Sequence, residues 1–178
     1  RTLNIGFDLS ALKNRLSANF DLFRRDTKDM LTSGSQLPAT LGANAPLQNV
    51  ADLKSTGFEL ELAWRDQIGK VHYNIGFNLS DYQSEVTKFD NIERSLSNSY
   101  VGQKQGEIWG YETAGLFQSP EEIAGAPTQD KVSGGIQLIP GDIRFADLDG
   151  NGVIDWGDNT VDNPGDKKII GNSTPRFH

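Results

Sequence analysis

The sequence predicts an all-β chain of antiparallel, up-and-down strands. Three observations carry this: four runs alternate apolar and polar residues, hairpin-sized turns join them in pairs, and one long loop-like stretch separates the pairs. In the first run Leu3, Ile5, Phe7 and Leu9 alternate with Asn4, Gly6, Asp8 and Ser10. In the second, Leu16, Ala18, Phe20 and Leu22 alternate with Ser17, Asn19, Asp21 and Phe23. The third sets Phe58, Leu60, Leu62 and Trp64 against Gly57, Glu59, Glu61 and Ala63. The fourth sets Val71, Tyr73, Ile75, Phe77 and Leu79 against His72, Asn74, Gly76, Asn78 and Ser80. A period of two puts successive side chains on opposite faces, so each strand has one apolar and one polar face.

Lys13-Asn14-Arg15 joins the first two runs and Asp66-Gln67-Ile68-Gly69 the last two, both of hairpin length. Between the pairs, roughly from Met30 to Leu53, the chain is rich in Gly, Pro, Ala and Asn and reads as a long loop. In an up-and-down meander alternate connections fall at the same end. The short turns therefore share one end of the sheet and the long loops the other, an asymmetry typical of outer-membrane barrels. Periodicity alone leaves two arrangements open. A soluble sandwich packs the apolar face inward; a membrane barrel turns it to lipid and its polar face to the lumen.

Composition removes other classes. The chain has 178 residues, 17 Lys+Arg against 24 Asp+Glu and a formal net charge of −7, with no basic run to bind nucleic acid. With no Cys there are no thiol nucleophiles, disulfides or thiolate metal sites. No apolar run is long enough for a transmembrane helix. Arg1-Thr2-Leu3 leads directly into a strand pattern, and Thr174–His178 reads as the approach to another element. The expectation is of a piece of a larger protein. No nucleophile elbow, phosphate loop or His constellation is present, so no enzyme is expected. His72 and His178 lack metal spacing and read as ordinary polar residues. Glu59 and Glu61 share one strand face and read as charges facing water rather than as an acid–base pair.

The strongest local motif is Asp147-Leu148-Asp149-Gly150-Asn151-Gly152-Val153-Ile154-Asp155-Trp156-Gly157-Asp158. It matches a twelve-residue EF-hand loop, with side-chain oxygens from Asp147, Asp149, Asn151, Asp155 and Asp158 at positions 1, 3, 5, 9 and 12. Gly152 falls at position 6, where that loop turns sharply, and the Val153 carbonyl at position 7. Ca2+ needs six to eight oxygens about one point, and this spacing supplies them. Asp158 stands where a bidentate Glu is usual, and its shorter reach leaves Mg2+ as the alternative ion. Pro140-Gly141-Asp142 before the motif and Asn163-Pro164-Gly165 after it exclude the two flanking helices of a sensor EF-hand. The expected role is to rigidify a loop. Elsewhere, Ser119-Pro120-Glu121-Glu122-Ile123 reads as an N-cap, a first-position Pro and an acidic first turn, predicting a short helix. Gly106-Glu107-Ile108-Trp109-Gly110-Tyr111 is a compact aromatic cluster, expected to pin its loop.

Taken in order, several segments resemble the SusC/RagA-type TonB-dependent outer-membrane receptors of Bacteroidetes. They are Gly57–Trp64, Gly110–Gln118 with Glu121-Glu122-Ile123, Pro140–Phe145, the acidic loop Asp147–Asp158 and Ile170–Pro175. The resemblance implies a fold class: antiparallel up-and-down strands of a transmembrane β-barrel of about 22 strands, with a long extracellular loop. Residues 1–88 would form four barrel strands with two short periplasmic turns and one long loop. Residues 89–175 would form a long extracellular loop region containing the acidic loop, and 176–178 the start of the next barrel strand. The resemblance further implies an outer-membrane location and import of oligosaccharides or peptides. The partners would be a SusD-like surface lipoprotein, TonB acting through a plug region absent here, and membrane lipid. Leu3, Ile5, Phe7, Phe58, Leu60, Leu62, Val71, Ile75 and Phe77 would then face lipid. Asn4, Asp8, Glu59, Glu61, Asn74 and Asn78 would face the lumen. The rival from another class is a secreted, Ca2+-stabilised β-sandwich that binds glycans through Tyr100, Trp109 and Tyr111.

Overall fold

The computed structural model describes residues 1–33 and 47–177. They form two compact units, one made of the described residues within 1–90, 101–105 and 174–177 and the other of 91–100 and 106–173.

The first unit is a four-stranded antiparallel meander. Strands β1 (Thr2–Ala11), β2 (Leu16–Ser33), β3 (Leu47–Ile68) and β4 (Val71–Lys88) lie side by side in chain order. Leu12, Lys13 and Asn14 all take positive φ in the first turn. Gly69, with φ +62°, opens the two-residue turn between β3 and β4, a position that costs glycine nothing.

Register decides the character of each face. Phe7 pairs with Phe20, Phe20 with Leu60, and Leu60 with Leu79, giving one apolar row across all four strands. One residue along, Asp8 pairs with Asn19, Asn19 with Glu61, and Glu61 with Asn78. The sheet therefore has one apolar face and one mainly polar face, the latter also carrying Phe23 and Ala63. The apolar face is bare: Ile5, Phe7 and Ile75 are each more than 60% exposed. On the polar face Asp21 stands directly opposite Glu59, a like-charge pair that is unfavourable unless water or a cation screens it.

The strands run further than the alternation indicates. β2 has 18 residues and β3 has 22, so Met30–Ser33 and Leu47–Leu53, expected in a loop, lie in strands instead. The backbone ladder continues there without an apolar row to mark it, through register shifts near Thr27–Leu31 and at Asp52/Leu53. At the first of these, Asp29 takes φ +54° and its N–H donates to Asp52 Oδ1 at 2.8 Å. The remainder of the expected loop lies outside the described residues. Beyond the apolar band the same face carries ion pairs: Arg24 with Asp26 at 3.1 Å and Lys54 with Glu85 at 3.0 Å. Asp81, 6% exposed, is gripped by the Arg176 guanidinium, whose Nε lies 2.9 Å from both carboxylate oxygens. Residues 101–105 extend the edge of β4, with Gly102 N donating to Val86 O and Gln105 N to Ser84 O, both at 2.8 Å. Arg176 and Phe177, expected to open a strand, form no ladder; His178 lies outside the described residues.

The second unit holds two short antiparallel pairs and two short helices. β5 (Glu107–Tyr111) pairs with β8 (Lys167–Asn172), and β6 (Thr113–Leu116) with β7 (Ile143–Phe145). Helix α1 (Pro120–Gly125) starts as its sequence requires: the Ser119 hydroxyl accepts from Glu122 N, and Glu122 reaches back to Gln118 N. Helix α2 spans Asp130–Ser133. Phe117 and Ile154, 1% and 0% exposed, form the small core with Tyr100. Among the described residues no helix is long and apolar enough to cross a membrane.

If the bare face meets lipid, Leu62→Arg, near the middle of the apolar band, should destabilise the full-length protein by roughly 2–4 kcal/mol. Asn78→Arg, on the opposite face, should cost close to nothing. Denaturant titration of the protein in lipid vesicles measures both, and equal tolerance would reject the assignment.

Candidate metal centre

The acidic motif lies in the connection from β7 to β8. Both ends are tied down: Ala146 N donates to Glu112 O at 2.9 Å, and Lys167 N to Pro164 O at 3.3 Å. Inside it, each acidic side chain first serves the backbone. Asp147 accepts from Gly150 N at 2.7 Å and Gly152 N at 2.9 Å. These amides, Gly152's foremost, hold its carboxyl below the usual carboxylate range. Asp149 accepts from Asn151 N at 3.0 Å, and the Asn151 side-chain Oδ1 accepts from Val153 N at 2.7 Å. Gly152, with φ +81°, makes the turn a β-carbon would strain. Gly157 and Gly165 pass so close that a β-carbon on Gly165 would lie 2.4 Å from Gly157 N.

Asp166 completes the loop. It is fully buried, its Oδ1 accepting from Leu148 N at 2.6 Å and its Oδ2 from Asp155 N at 2.8 Å. One carboxylate thus clasps both limbs. One oxygen from each of Asp147, Asp149 and Asp166 lies within 4.8 Å of the others. Their hydrogen-bond donors are backbone N–H groups and the Asn151 amide. Three carboxylates brought together with no cationic side chain among those partners form an all-oxygen donor set, the kind that suits a hard divalent cation.

Of the six residues read from the sequence, Asp147 and Asp149 enter this group, and Asn151 and Val153 flank the Gly152 turn. Asp155 and Asp158 are engaged elsewhere. Asp155 Oδ2 is 2.6 Å from Lys131 Nζ and its Oδ1 accepts from Gly157 N at 2.8 Å; the lysine, then that amide, hold its carboxyl below the usual range. Asp158 Oδ2 accepts from Asn163 Nδ2 at 2.8 Å. Sequence reasoning missed Asp166 and Lys131. Asp166 follows Asn163-Pro164-Gly165, a turn that folds the chain back on the loop, and that was its available signal.

The aromatic cluster is spent on itself. Tyr100, 5% exposed, donates to Glu107, while Trp109 Nε1 donates to Glu107 at 2.7 Å and to the Tyr100 hydroxyl at 3.0 Å. Burial first, then the Glu107 hydrogen bond, push the Tyr100 hydroxyl up to about 12. Tyr111 lies 5.5 Å from the Phe145 ring. These contacts pin the unit. Glu59 and Glu61 stand with Asp8 and Asp21 along the polar face of the meander.

A two-faced meander with short turns at one end and a bare apolar face is the wall of a membrane β-barrel. Residues 1–166 match the family model described as TonB dependent receptor-like, beta-barrel, and the chain belongs to that family. Such receptors are outer-membrane transport proteins rather than enzymes. TonB-dependent receptor P3 of Formosa agariphila is 29% identical over 99% of this chain and 18% of its own length. TonB-dependent receptor SusC of Bacteroides thetaiotaomicron is 24% identical over 90% of this chain and 16% of its own length. The solved RagAB peptide transporter shares the fold with a TM-score of 0.67 at 22% identity, over 99% of this chain and 18% of that one. The chain thus spans less than a fifth of the length of the curated relatives it matches. With the family goes the soluble sandwich.

Asp166→Ala should leave the N–H groups of Leu148 and Asp155 without an acceptor, at about 1–3 kcal/mol each. Limited proteolysis of the full-length receptor should then cut within residues 146–166 at protease levels that spare the wild type. Unchanged resistance would show that Asp166 does not close the loop.

Proposed function

We propose that this chain supplies part of the barrel wall and one extracellular loop unit of a TonB-dependent receptor that imports oligosaccharides or peptides with a SusD-like surface lipoprotein. The observation that carries the reading is the height of the bare apolar face. It runs for nine residues along β4, Val71 to Leu79, the length a tilted strand needs to cross the hydrocarbon core (about 9–11 residues). On β3 it runs from Phe58 to Trp64, and Asp66, ion-paired with Arg15, ends it at the turn side. The polar face would line the lumen through which cargo passes. TonB would act through a plug region that is not among these residues. In a strain lacking the parent receptor, uptake of labelled oligosaccharides or of labelled peptides should be lost. Removing TonB should abolish the same uptake. If both classes enter normally after either deletion, the import reading fails.

We infer further that the acidic loop binds Ca2+, with Mg2+ the alternative. Asp147, Asp149 and Asp166, with the Asn151 side chain and the Val153 carbonyl, would supply the oxygens. The ion would neutralise carboxylates that otherwise repel one another and would stiffen a loop facing the cell exterior. Calcium removal by chelator should therefore hasten surface cleavage of whole cells within residues 146–166. The Asp147→Asn/Asp149→Asn double variant should be cleaved quickly whether or not calcium is present. Cleavage of the wild type that ignores calcium would overturn the ion reading.

A further inference from the structure

We propose that Lys131 is a built-in counter-cation of the acidic loop. It holds Asp155 in the absence of a metal ion and competes with that ion for the loop. The inference rests on the cation-binding reading above and deepens it.

Asp155 occupies position 9 of the twelve-residue motif, yet it stands outside the convergent group of Asp147, Asp149 and Asp166. Its Oδ2 is taken by Lys131 Nζ at 2.6 Å. Lys131 is not a stray surface lysine, because the segment that carries it is stitched to the loop it serves. Thr128 N donates to Gly152 O at 3.0 Å, and Ile154 N donates back to Thr128 O at 2.8 Å. The next residue, Gln129, is 2% exposed, donates to Ile143 O at 3.0 Å and accepts from Phe145 N at 2.7 Å. Helix α2 then presents Lys131 two residues later. Asp155 itself is well covered, with 14% of its side chain exposed against 54% for Lys131.

This geometry has an electrostatic consequence. An ammonium group fixed beside one candidate ligand repels a divalent ion bound to the others. It also takes an oxygen the ion could use. The loop is then held in shape before any ion arrives, and its affinity is set below what four free carboxylates would give. Removing the charge should tighten binding roughly five-fold, the order of magnitude expected when a divalent ion in water loses one nearby unit charge of the same sign.

The test uses the full-length receptor in detergent with Tb3+ alone as the first probe, its luminescence sensitised by Trp156 within the loop, and Ca2+ as competitor. Lys131→Met should bind Tb3+ and Ca2+ roughly five-fold more tightly than the wild type, and Lys131→Arg should match the wild type. In chelator, Lys131→Met should also be cleaved faster within residues 146–166, since Asp155 has lost the Lys131 cation that holds it. Equal or weaker ion binding by Lys131→Met would overturn the inference while leaving the ion site standing. A wild-type signal that the Asp147→Asn/Asp149→Asn variant does not diminish would instead reject the ion site, and the competition with it.

Discussion

Everything in the meander depends on one constraint: the hydrogen-bonded ladder keeps the alternation of four strands in phase. The side-chain period is two, so a slip of one residue between any pair would place a carboxylate row beside a leucine row. With Phe7, Phe20, Leu60 and Leu79 in one line and Asp8, Asn19, Glu61 and Asn78 in the next, the faces separate cleanly. That separation lets a sheet stand between lipid and water. It also explains the modest overall hydrophobicity, since only every second residue of a strand need be apolar.

In the loop unit the same role passes from backbone to side chains. There is too little apolar surface for a large core; Phe117, Ile154 and Tyr100 are its buried hydrophobic members among the described residues. Shape comes from polar groups used as clasps. Asp166 joins two limbs of the acidic loop, Gln129 joins the approach of α2 to β7, and Glu107 gathers Tyr100 and Trp109. Each clasp is buried or partly buried, where a lost partner is expensive.

The meander was legible in the sequence because lipid and water write opposite preferences on alternate residues. Where both faces meet water that signal vanishes, and so the outer parts of β2 and β3 read as loop. Backbone bonds, register shifts and ion pairs hold them there, and none of these has a period. The short helix at Ser119-Pro120 was legible for the opposite reason, since its cap is wholly local. The acidic loop was half legible. Spacing identified Asp147, Asp149 and the Gly152 turn. It could not reveal that Lys131 would claim Asp155, that Asn163 would claim Asp158, or that Asp166 would fold back into the group. Those are contacts across 24, 5 and 17 to 19 residues, made by turns and a packed segment that a twelve-residue window does not see.

The ion pairs above the apolar band have a consequence for how the protein rides in its membrane. Arg24–Asp26 and Lys54–Glu85 sit on the outward face just past the last leucines and phenylalanines. Were the sheet to sink by a few ångströms, those charges would enter hydrocarbon, at a steeply rising cost. Were it to rise, apolar side chains would leave the lipid for water. The two penalties oppose each other and define a draught line, as a hull settles where weight and displacement balance. The long strands can then carry loops well clear of the bilayer without the barrel drifting through it.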